Sequence, residues 1–309
     1  MIKRIGRLIR NILTLNRSIH VLNSHKNSIL NIENILKNHE YSLVDLTHKQ
    51  NHLPRWLNAT NYSADIKKFF RFFEIVSLPT EMLRRVGSLG DGGYLIKIPD
   101  WNNLLLISVG VGENCDFENE ITADGGICLA FDPTIDFLPT GHSELIVFKK
   151  IGLKGNLLKD NSTYKLLSLN DLIETHCMDS IEDKSYRILK LDCEGAEWQS
   201  LEEVTDQRIS LFDQVIIEFH QIKNITEPNF KHLYLSVAEK LKEFFHIINI
   251  SPNNNSEVLW AKDLLVTDVF EITFINKKHI DPIDLHIDHE PTKFPNPPFR
   301  LVAVNKFFY

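Results

Sequence analysis

The sequence predicts an α/β fold with a mostly parallel sheet that is covered by helices on both faces. Three observations support this class. From residue 104 onward, short apolar runs alternate with helical patterns, glycines follow the first run, and acidic residues or a histidine end several later runs. Sheets of this kind bind ligands beyond the carboxyl ends of their strands, where the strand order reverses.

The apolar runs and helical patterns define the elements in chain order. Ser168 is a candidate N-cap with Asp171 at the capping-box position, and two stretches rich in asparagine or proline, 251–257 and 290–299, are typical of loops. The predicted strands are 104–110, 127–132, one within 144–153, 186–192, 213–220, 246–251 and 270–276. The first predicted helix begins near Phe117, and the others span 168–176, 196–204 and 229–245.

Composition excludes several classes of protein. The 309 residues are long enough for one large domain with an appendage. A net charge of −7 argues against a broad nucleic-acid interface. The four cysteines form no CxxC pair, and neither a membrane span nor a signal peptide is evident, so we expect a cytoplasmic protein.

The N-terminal arm, residues 1–40, carries a heptad pattern. Isoleucines occupy one seam and leucines the other between residues 5 and 36, a pattern that favours a parallel coiled coil and therefore a homodimer or higher homo-oligomer. An amphipathic helix on the protein's own core and a peripheral contact of its basic residues with the inner membrane surface are open alternatives. Residues 41–84 are interpreted as a helical linker, and 85–309 as the main domain with a C-terminal tail.

The first predicted strand ends in "SVGVGENCDFE", and the second ends in "FDP". Glycines at such a position let a ligand approach the backbone, and an acid about 20 residues later suits the ribose of an adenosine-containing cofactor. Cys115 stands where a dinucleotide fingerprint has its third glycine, and the acidic loop would repel a pyrophosphate. A sulfonium fits better, so we predict S-adenosylmethionine as cofactor, bound by Gly110, Gly112, Glu113, Asp132 and Pro133.

Six segments together resemble the FkbM-type branch of the class I S-adenosylmethionine-dependent methyltransferases. They occur in the family's order between about residues 84 and 276: "RVGSLGDGGYLI", "SVGVGENCDFE", "AFDPT", "SLNDLI", "LKLDCEGAEW" and "VIIEFH". The resemblance implies a Rossmann-like, seven-stranded sheet with an antiparallel last strand, and methyl transfer to a hydroxyl of a sugar or another small molecule. Ser108 departs from the family's pattern, which usually has an acid there.

The fourth and fifth strands of this ordering supply the catalytic candidates: Asp192, Glu194, Glu218 and His220. A histidine at a strand end could accept the proton of the acceptor hydroxyl, although it could equally be a hydrogen-bonded structural residue. The same four side chains could instead bind a divalent cation, which is the less favoured alternative. Glu197 falls in the first turn of the following helix, where a carboxylate complements the helix dipole.

"GDGGY" before the first core strand is a strong tight-turn signal, and the resemblance implies that Asp91 and Tyr94 also line the cofactor crevice. The predicted function is an O-methyltransferase that acts on a sugar or a glycan-related small molecule without binding nucleic acid. Two alternatives are a nicotinamide-dependent oxidoreductase on a similar sheet and a catalytically silent coiled-coil scaffold.

Overall fold

A computed structural model describes residues 55–56, 62–72, 75–88, 91–155, 163–253, 256–261 and 264–280. The predicted coiled-coil arm, the beginning of the predicted linker and the C-terminal tail lie outside the described residues. All the strands and helices predicted between residues 104 and 276 lie within the described residues.

Fourteen strands and seven helices occur in the described residues. The strands are β1 (Arg55–Trp56), β2 (Leu83–Gly87), β3 (Gly93–Lys97), β4 (Leu104–Val109), β5 (Ile127–Phe131), β6 (Ile146–Lys149), β7 (Gly152–Leu153), β8 (Leu166–Leu167), β9 (Tyr186–Leu191), β10 (Gln214–Phe219), β11 (Phe245–Pro252), β12 (Val258–Ala261), β13 (Leu264–Thr267) and β14 (Phe270–Asn276). The helices are α1 (Tyr62–Phe70), α2 (Asp116–Ala123), α3 (Leu169–His176), α4 (Met178–Asp183), α5 (Ala196–Glu203), α6 (Asp206–Ile209) and α7 (Pro228–Phe244).

The main sheet has seven strands in the order β11-β14-β10-β9-β4-β5-β6. Strands β10, β9, β4, β5 and β6 are parallel to one another, whereas β14 is antiparallel to both of its neighbours, β10 and β11. This is the Rossmann-like, seven-stranded sheet with an antiparallel last strand that the resemblance implied. From β4 the chain proceeds outward through β5 and β6 and then returns to β9, so the strand order reverses between β4 and β9.

Strand β4 shows why both faces of the sheet are covered. Its six residues are all buried, and successive side chains point to opposite faces. Leu105, Ile107 and Val109 belong to a core that also contains residues of α3, α5 and α7. Leu104 and Leu106 belong to a second core with residues of β3 and α2. A continuous apolar run therefore marks a strand buried on both faces.

The tight turn predicted from "GDGGY" joins β2 to β3, which pair as an antiparallel hairpin through Gly87 and Gly93. Ser168 caps α3 by accepting a hydrogen bond from the Asp171 amide, as predicted. Strands β12 and β13 were not predicted, and Ser251 and Pro252 end β11 rather than beginning a loop. Among the described helices, none has the length and apolar composition needed to cross a bilayer.

Candidate active site

The glycine loop after β4 lies directly against the end of β9. Gly110 has a positive φ of 83°, and a Cβ added there would lie 1.6 Å from the carbonyl oxygen of Asp192. The Asp192 amide in turn donates to the carbonyl of Val109 at 2.9 Å. Only glycine fits at this position, because it has no Cβ and adopts positive φ without strain. The loop predicted to hold the cofactor and the first catalytic candidate are therefore in backbone contact.

Asp132 fixes the outer part of this loop. Its Oδ2 accepts hydrogen bonds from the amides of Val111 (3.0 Å) and Gly112 (2.8 Å), and its Oδ1 accepts from the amide (2.7 Å) and the hydroxyl (2.6 Å) of Thr134. Burial opposes ionisation, but these donors outweigh it and lower the pKa of Asp132. A carboxylate has about four acceptor positions, so a ribose diol would have to displace a Thr134 donor to bind here. The ribose contact of Asp132 stays a prediction.

Lys190 is a buried cation next to the loop. Its Nζ donates to the carbonyl of Gly110 at 2.7 Å and lies 3.6 Å from Asp192 Oδ2 and 3.9 Å from Glu118 Oε1. Burial disfavours the charged ammonium, but the two carboxylates prevail and raise the pKa of Lys190. Ser108 donates to the same Glu118 Oε1 at 2.5 Å. A buried acid from α2 thus stands beside Ser108, the position at which the sequence lacks the family's usual acid.

His220 follows β10, and its imidazole is oriented by Glu197. The fully buried Glu197 accepts from the His220 amide (2.8 Å), faces His220 Nδ1 (3.2 Å) and accepts from the Gly195 amide (2.8 Å). His220 Nε2 therefore points toward three carboxylates, with Glu194 Oε2 at 3.6 Å, Glu218 Oε1 at 3.7 Å and Asp192 Oδ1 at 4.0 Å.

The charges around His220 decide its protonation. Burial would lower the pKa of His220, but Glu197, Glu218 and Asp192 raise it to about 10. An imidazole with that pKa is protonated at neutral pH and cannot accept a further proton. A carboxylate of this site is therefore better suited than His220 to accept a proton.

Asp192 and Glu218 are the carboxylates beside His220 whose pKa is raised. Burial raises the pKa of Asp192 despite the opposing charges of Lys190 and His220. Burial, with the like charges of Asp192 and Glu271, raises the pKa of Glu218 well above its usual range. Glu218 is 6% exposed, whereas the Asp192 side chain is 26% exposed. We call Asp192, Glu218 and His220 the edge cluster.

The remaining predicted residues surround the edge cluster or the loop. Tyr94 is buried, and its hydroxyl donates to Asp192 Oδ2 at 3.4 Å. Asp91 is exposed and accepts from the Asn253 amide group at 3.3 Å. The Glu194 side chain is 83% exposed. Strand β9 ends at Leu191 and the chain turns after it, so Glu194 adopts a positive φ of 53°. Glu113 is exposed on the glycine loop, and Pro133 is half-buried against Gly152.

Sequence reasoning missed four contributors to this site: Lys190, Glu197, Asn253 and Glu271. A lysine in the middle of the apolar run "ILKLD" is a usable signal, because a cation in a buried strand needs a partner. The role predicted for Glu197 at the start of α5 was local, but its carboxylate also reaches a histidine on the next strand. Asn253 directly follows β11, and Glu271 lies on β14; the sequence does not reveal the register of these two strands.

Together these residues form a site with two parts. The glycine loop presents backbone to a ligand, and a Cβ added at Gly112 would meet open space. Beside it, the edge cluster places carboxylates and one imidazole at the carboxyl ends of β9 and β10. Such a site can bind a nucleoside-type ligand on one side and take a proton from a second ligand on the other.

Comparison with known proteins identifies the domain. A family model described as "Methyltransferase domain" matches residues 25–260. No protein of curated function matches the chain.

Two of the solved chains that are similar to this one have low sequence identity to it. One is a fibrillarin/Nop5p complex, with 12% identity, a TM-score of 0.35, and coverage of 59% of this chain and 75% of that one. The other is the Methanococcus jannaschii fibrillarin pre-rRNA processing protein, with 12% identity, a TM-score of 0.34, and coverage of 65% and 85%. At these values neither structure bears on the substrate.

Proposed function

We propose, from the premise that this chain belongs to the methyltransferase-domain family and is an S-adenosylmethionine-dependent methyltransferase, that its acceptor is a hydroxyl of a sugar or a glycan-related small molecule. Membership of this family decides against the nicotinamide-dependent oxidoreductase. The finer placement in the FkbM-type branch is part of the proposal. It is supported by the "DGGY", "FDPT" and "LDCEGAEW" segments, which carry Tyr94, Asp132 and Asp192.

The residues of the glycine loop fit the cofactor. Gly110 and Gly112 expose backbone where a side chain would intrude, and Asp132 holds the amides of the loop in place. When bound, S-adenosylmethionine supplies the methyl group and keeps the electron pair of the broken sulfur–carbon bond as it becomes a thioether. We propose that Gly110, Gly112, Glu113, Asp132, Pro133, Asp91 and Tyr94 form its surroundings.

One observation carries the choice of a hydroxyl acceptor: a partly exposed carboxylate with a raised pKa, Asp192, stands in contact with the cofactor loop. A hydroxyl oxygen must lose its proton as the methyl carbon bonds to it, and a base is most effective when its pKa approaches the working pH. Asp192 takes this proton. Alignment of the acceptor oxygen contributes several kcal/mol more, on the order of 7–11 in favourable cases.

The test uses a methyl donor labelled in its methyl group and a panel of sugars and sugar-derived small molecules. We expect label in a product that withstands mild alkali, as an ether does. We also expect Asp192→Asn to lower kcat at least about 100-fold, the loss of a general base. Donor binding, measured by calorimetry, should remain. The matched control is Asp179→Asn, an exposed aspartate on α4.

Two results would contradict the proposal. Alkali-labile label would indicate a carboxyl ester, and label found in RNA would indicate a nucleic-acid acceptor. Donor binding without turnover on any acceptor, with no effect of Asp192→Asn in vivo, would favour the silent scaffold instead.

The setting of the enzyme is also proposed. The heptads of residues 1–40 support a homodimer or higher homo-oligomer, and the net charge of −7 supports an acceptor other than nucleic acid. We place the protein in the cytoplasm, with a peripheral contact at the inner membrane surface as the alternative role of the arm's basic residues.

A further inference from the structure

The edge cluster has the make-up of a cation site. Asp192, Glu218 and His220 each offer a ligand atom, and these atoms all lie within 4.8 Å of one another. The carboxylate of Glu218 belongs as well to a second group of this kind, with Asp91 and Glu271. Glu218 therefore stands where the ligand atoms of both groups converge, at the carboxyl end of β10.

The distances within the cluster suit a shared ion better than direct hydrogen bonds. His220 Nε2 lies 3.7 Å from Glu218 Oε1 and 4.0 Å from Asp192 Oδ1. Hydrogen bonds between nitrogen and oxygen span about 2.7–3.2 Å. Two ligands of one divalent ion at about 2.1 Å each can be up to about 4.2 Å apart. Both separations fall between these limits, so an ion could contact His220 Nε2 together with either carboxylate without movement of the backbone.

The imidazole of His220 is already aimed at this position. A carboxylate only accepts hydrogen bonds, so Glu197 takes the Nδ1–H and the His220 amide on one side of the ring. Nε2 is left to face Asp192, Glu218 and the exposed Glu194. Metal-binding histidines are held in this way by a second carboxylate, which fixes the ring and the nitrogen that binds. A cation here takes the place of the proton on Nε2.

Glu218 gives an independent sign that a ligand is needed. Its Oε1 accepts from the Asn253 amide group at 2.8 Å, but its Oε2 is buried without a hydrogen-bond partner in the described part of the chain. A buried acceptor left without a donor costs about 1–3 kcal/mol, and more when it is charged. Native proteins rarely keep such an atom unless an ion, a water or a ligand satisfies it.

Lys190 does not supply this partner. Its Nζ donates to the carbonyl of Gly110 and lies on the Oδ2 side of Asp192, 3.6 Å away. The other oxygen of Asp192, Oδ1, is the one that faces His220. The lysine thus balances the oxygen of Asp192 on the side of the glycine loop and leaves Oδ1, the oxygen that faces His220, available.

We propose that Asp192, Glu218 and His220 bind one divalent cation, with Mn²⁺ as the best match. Two carboxylates favour the hard ions Mg²⁺ and Mn²⁺, and the imidazole favours a transition metal, so Mn²⁺ satisfies both preferences. Resting on the proposed function, the cation would bind the acceptor hydroxyl and lower its pKa, and Asp192, which holds the cation through one oxygen, would still take the proton with the other. The role of the cation in methyl transfer depends on the proposed acceptor, whereas the binding of the cation does not.

The test measures Mn²⁺ binding to the chelator-treated full chain, without methyl donor, by electron paramagnetic resonance and calorimetry. We expect one tightly bound Mn²⁺ per chain and a pulsed-resonance signal from a coordinated ¹⁴N nucleus. Glu218→Gln should weaken binding at least about 10-fold, His220→Gln should remove the nitrogen signal, and Glu197→Gln should weaken binding about 10–100-fold. Glu239→Gln, an exposed glutamate on α7, is the matched control.

Thermal unfolding of each variant separates loss of the site from loss of the fold. Absence of stoichiometric binding of Mn²⁺, Mg²⁺ and Zn²⁺ to the wild-type chain would overturn the site, as would binding that Glu218→Gln and His220→Gln leave unchanged. Neither result affects the hydroxyl acceptor, which the alkali test addresses. Mn²⁺ binding with full turnover after chelation supports the site and overturns its role in methyl transfer.

Discussion

Asp213 directly precedes strand β10, Glu218 lies near its carboxyl end, and both are almost completely buried. Asp213 is surrounded by donors: the Arg187 amide at 2.7 Å, Lys278 Nζ at 2.7 Å and His279 Nε2 at 2.6 Å. Burial opposes its ionisation, but these donors lower the pKa of Asp213. Glu218 has one amide donor and several like charges, and its pKa is raised well above the usual range.

The difference is the one we expect between a structural carboxylate, Asp213, and a carboxylate that binds a ligand, the role proposed for Glu218. At the amino end of the sheet, the fold supplies every partner that Asp213 needs, and the charge contributes to stability. At the carboxyl end, the fold holds Glu218 close to other acids, and among the described residues one of its oxygens has no hydrogen-bond partner. Ionisable groups that are buried among like charges in this way cluster at functional sites, where a bound ligand supplies the missing partner. Burial alone does not distinguish the two.

The largest effect is expected from Gly110→Ala, which would disrupt the site at the carboxyl ends of the strands and leave the surroundings of Asp213 unchanged. Its Cβ would overlap the carbonyl oxygen of Asp192, and alanine is strained at a φ of 83°. We expect a loss of about 3 kcal/mol or more in the free energy of unfolding, or a displaced loop that no longer binds the methyl donor. Urea unfolding and calorimetry with S-adenosylmethionine measure the two outcomes.

Gly141→Ala is the control for this substitution. Gly141 has a similar φ of 87°, but its added Cβ would meet nothing within 4 Å. The backbone strain alone should cost about 1–2 kcal/mol and leave donor binding unchanged. If Gly110→Ala were no worse than Gly141→Ala, the close contact between the loop and Asp192 would be refuted.

A medium effect, of opposite sign at the two ends, is expected from neutral isosteres of the two acids. In chelating buffer, Asp213→Asn should lower the free energy of unfolding by about 2 kcal/mol, because it weakens charge-assisted hydrogen bonds to Lys278 and His279. Glu218→Gln should leave stability unchanged or raise it slightly, since it removes repulsion from Asp192 and Glu271. Urea unfolding measures both, and equal destabilisation by the two variants would abolish the distinction.

Most of the fold was predictable from the sequence because its strands are buried on both faces. Runs such as "LLLISV" and "QVIIEF" are mostly apolar and buried at every position, and each became a strand of the main sheet. The hairpin β12–β13 was missed because no Asn-Gly or Gly-Gly pair marks its turn, in contrast to the turn before β3.

The site was predictable only in part, because position and partnership follow different rules. Asp192 and His220 were found from their place at strand ends, where the parallel sheet brings them to one edge. That Glu197 would orient His220, 23 residues away, depends on how α5 packs on β10. Likewise, the contact of Asn253 with Glu218 depends on the neighbouring antiparallel strands. Local spacing carries no information on such contacts.

The smallest expected effect is the pH dependence of the contribution of Asp213. Its folded pKa lies below the unfolded value of about 3.9, so its stabilisation is fully present above about pH 5 and is lost as pH falls through the folded pKa. Lys278, His279 and Tyr186 are the titratable groups that face it. The stability difference between wild type and Asp213→Asn, measured by urea unfolding, should therefore shrink between about pH 5 and pH 3. A difference that stays constant or grows toward acid pH would mean that Asp213 stabilises the amino end by shape rather than by charge, and the contrast with Glu218 would then lose its electrostatic basis.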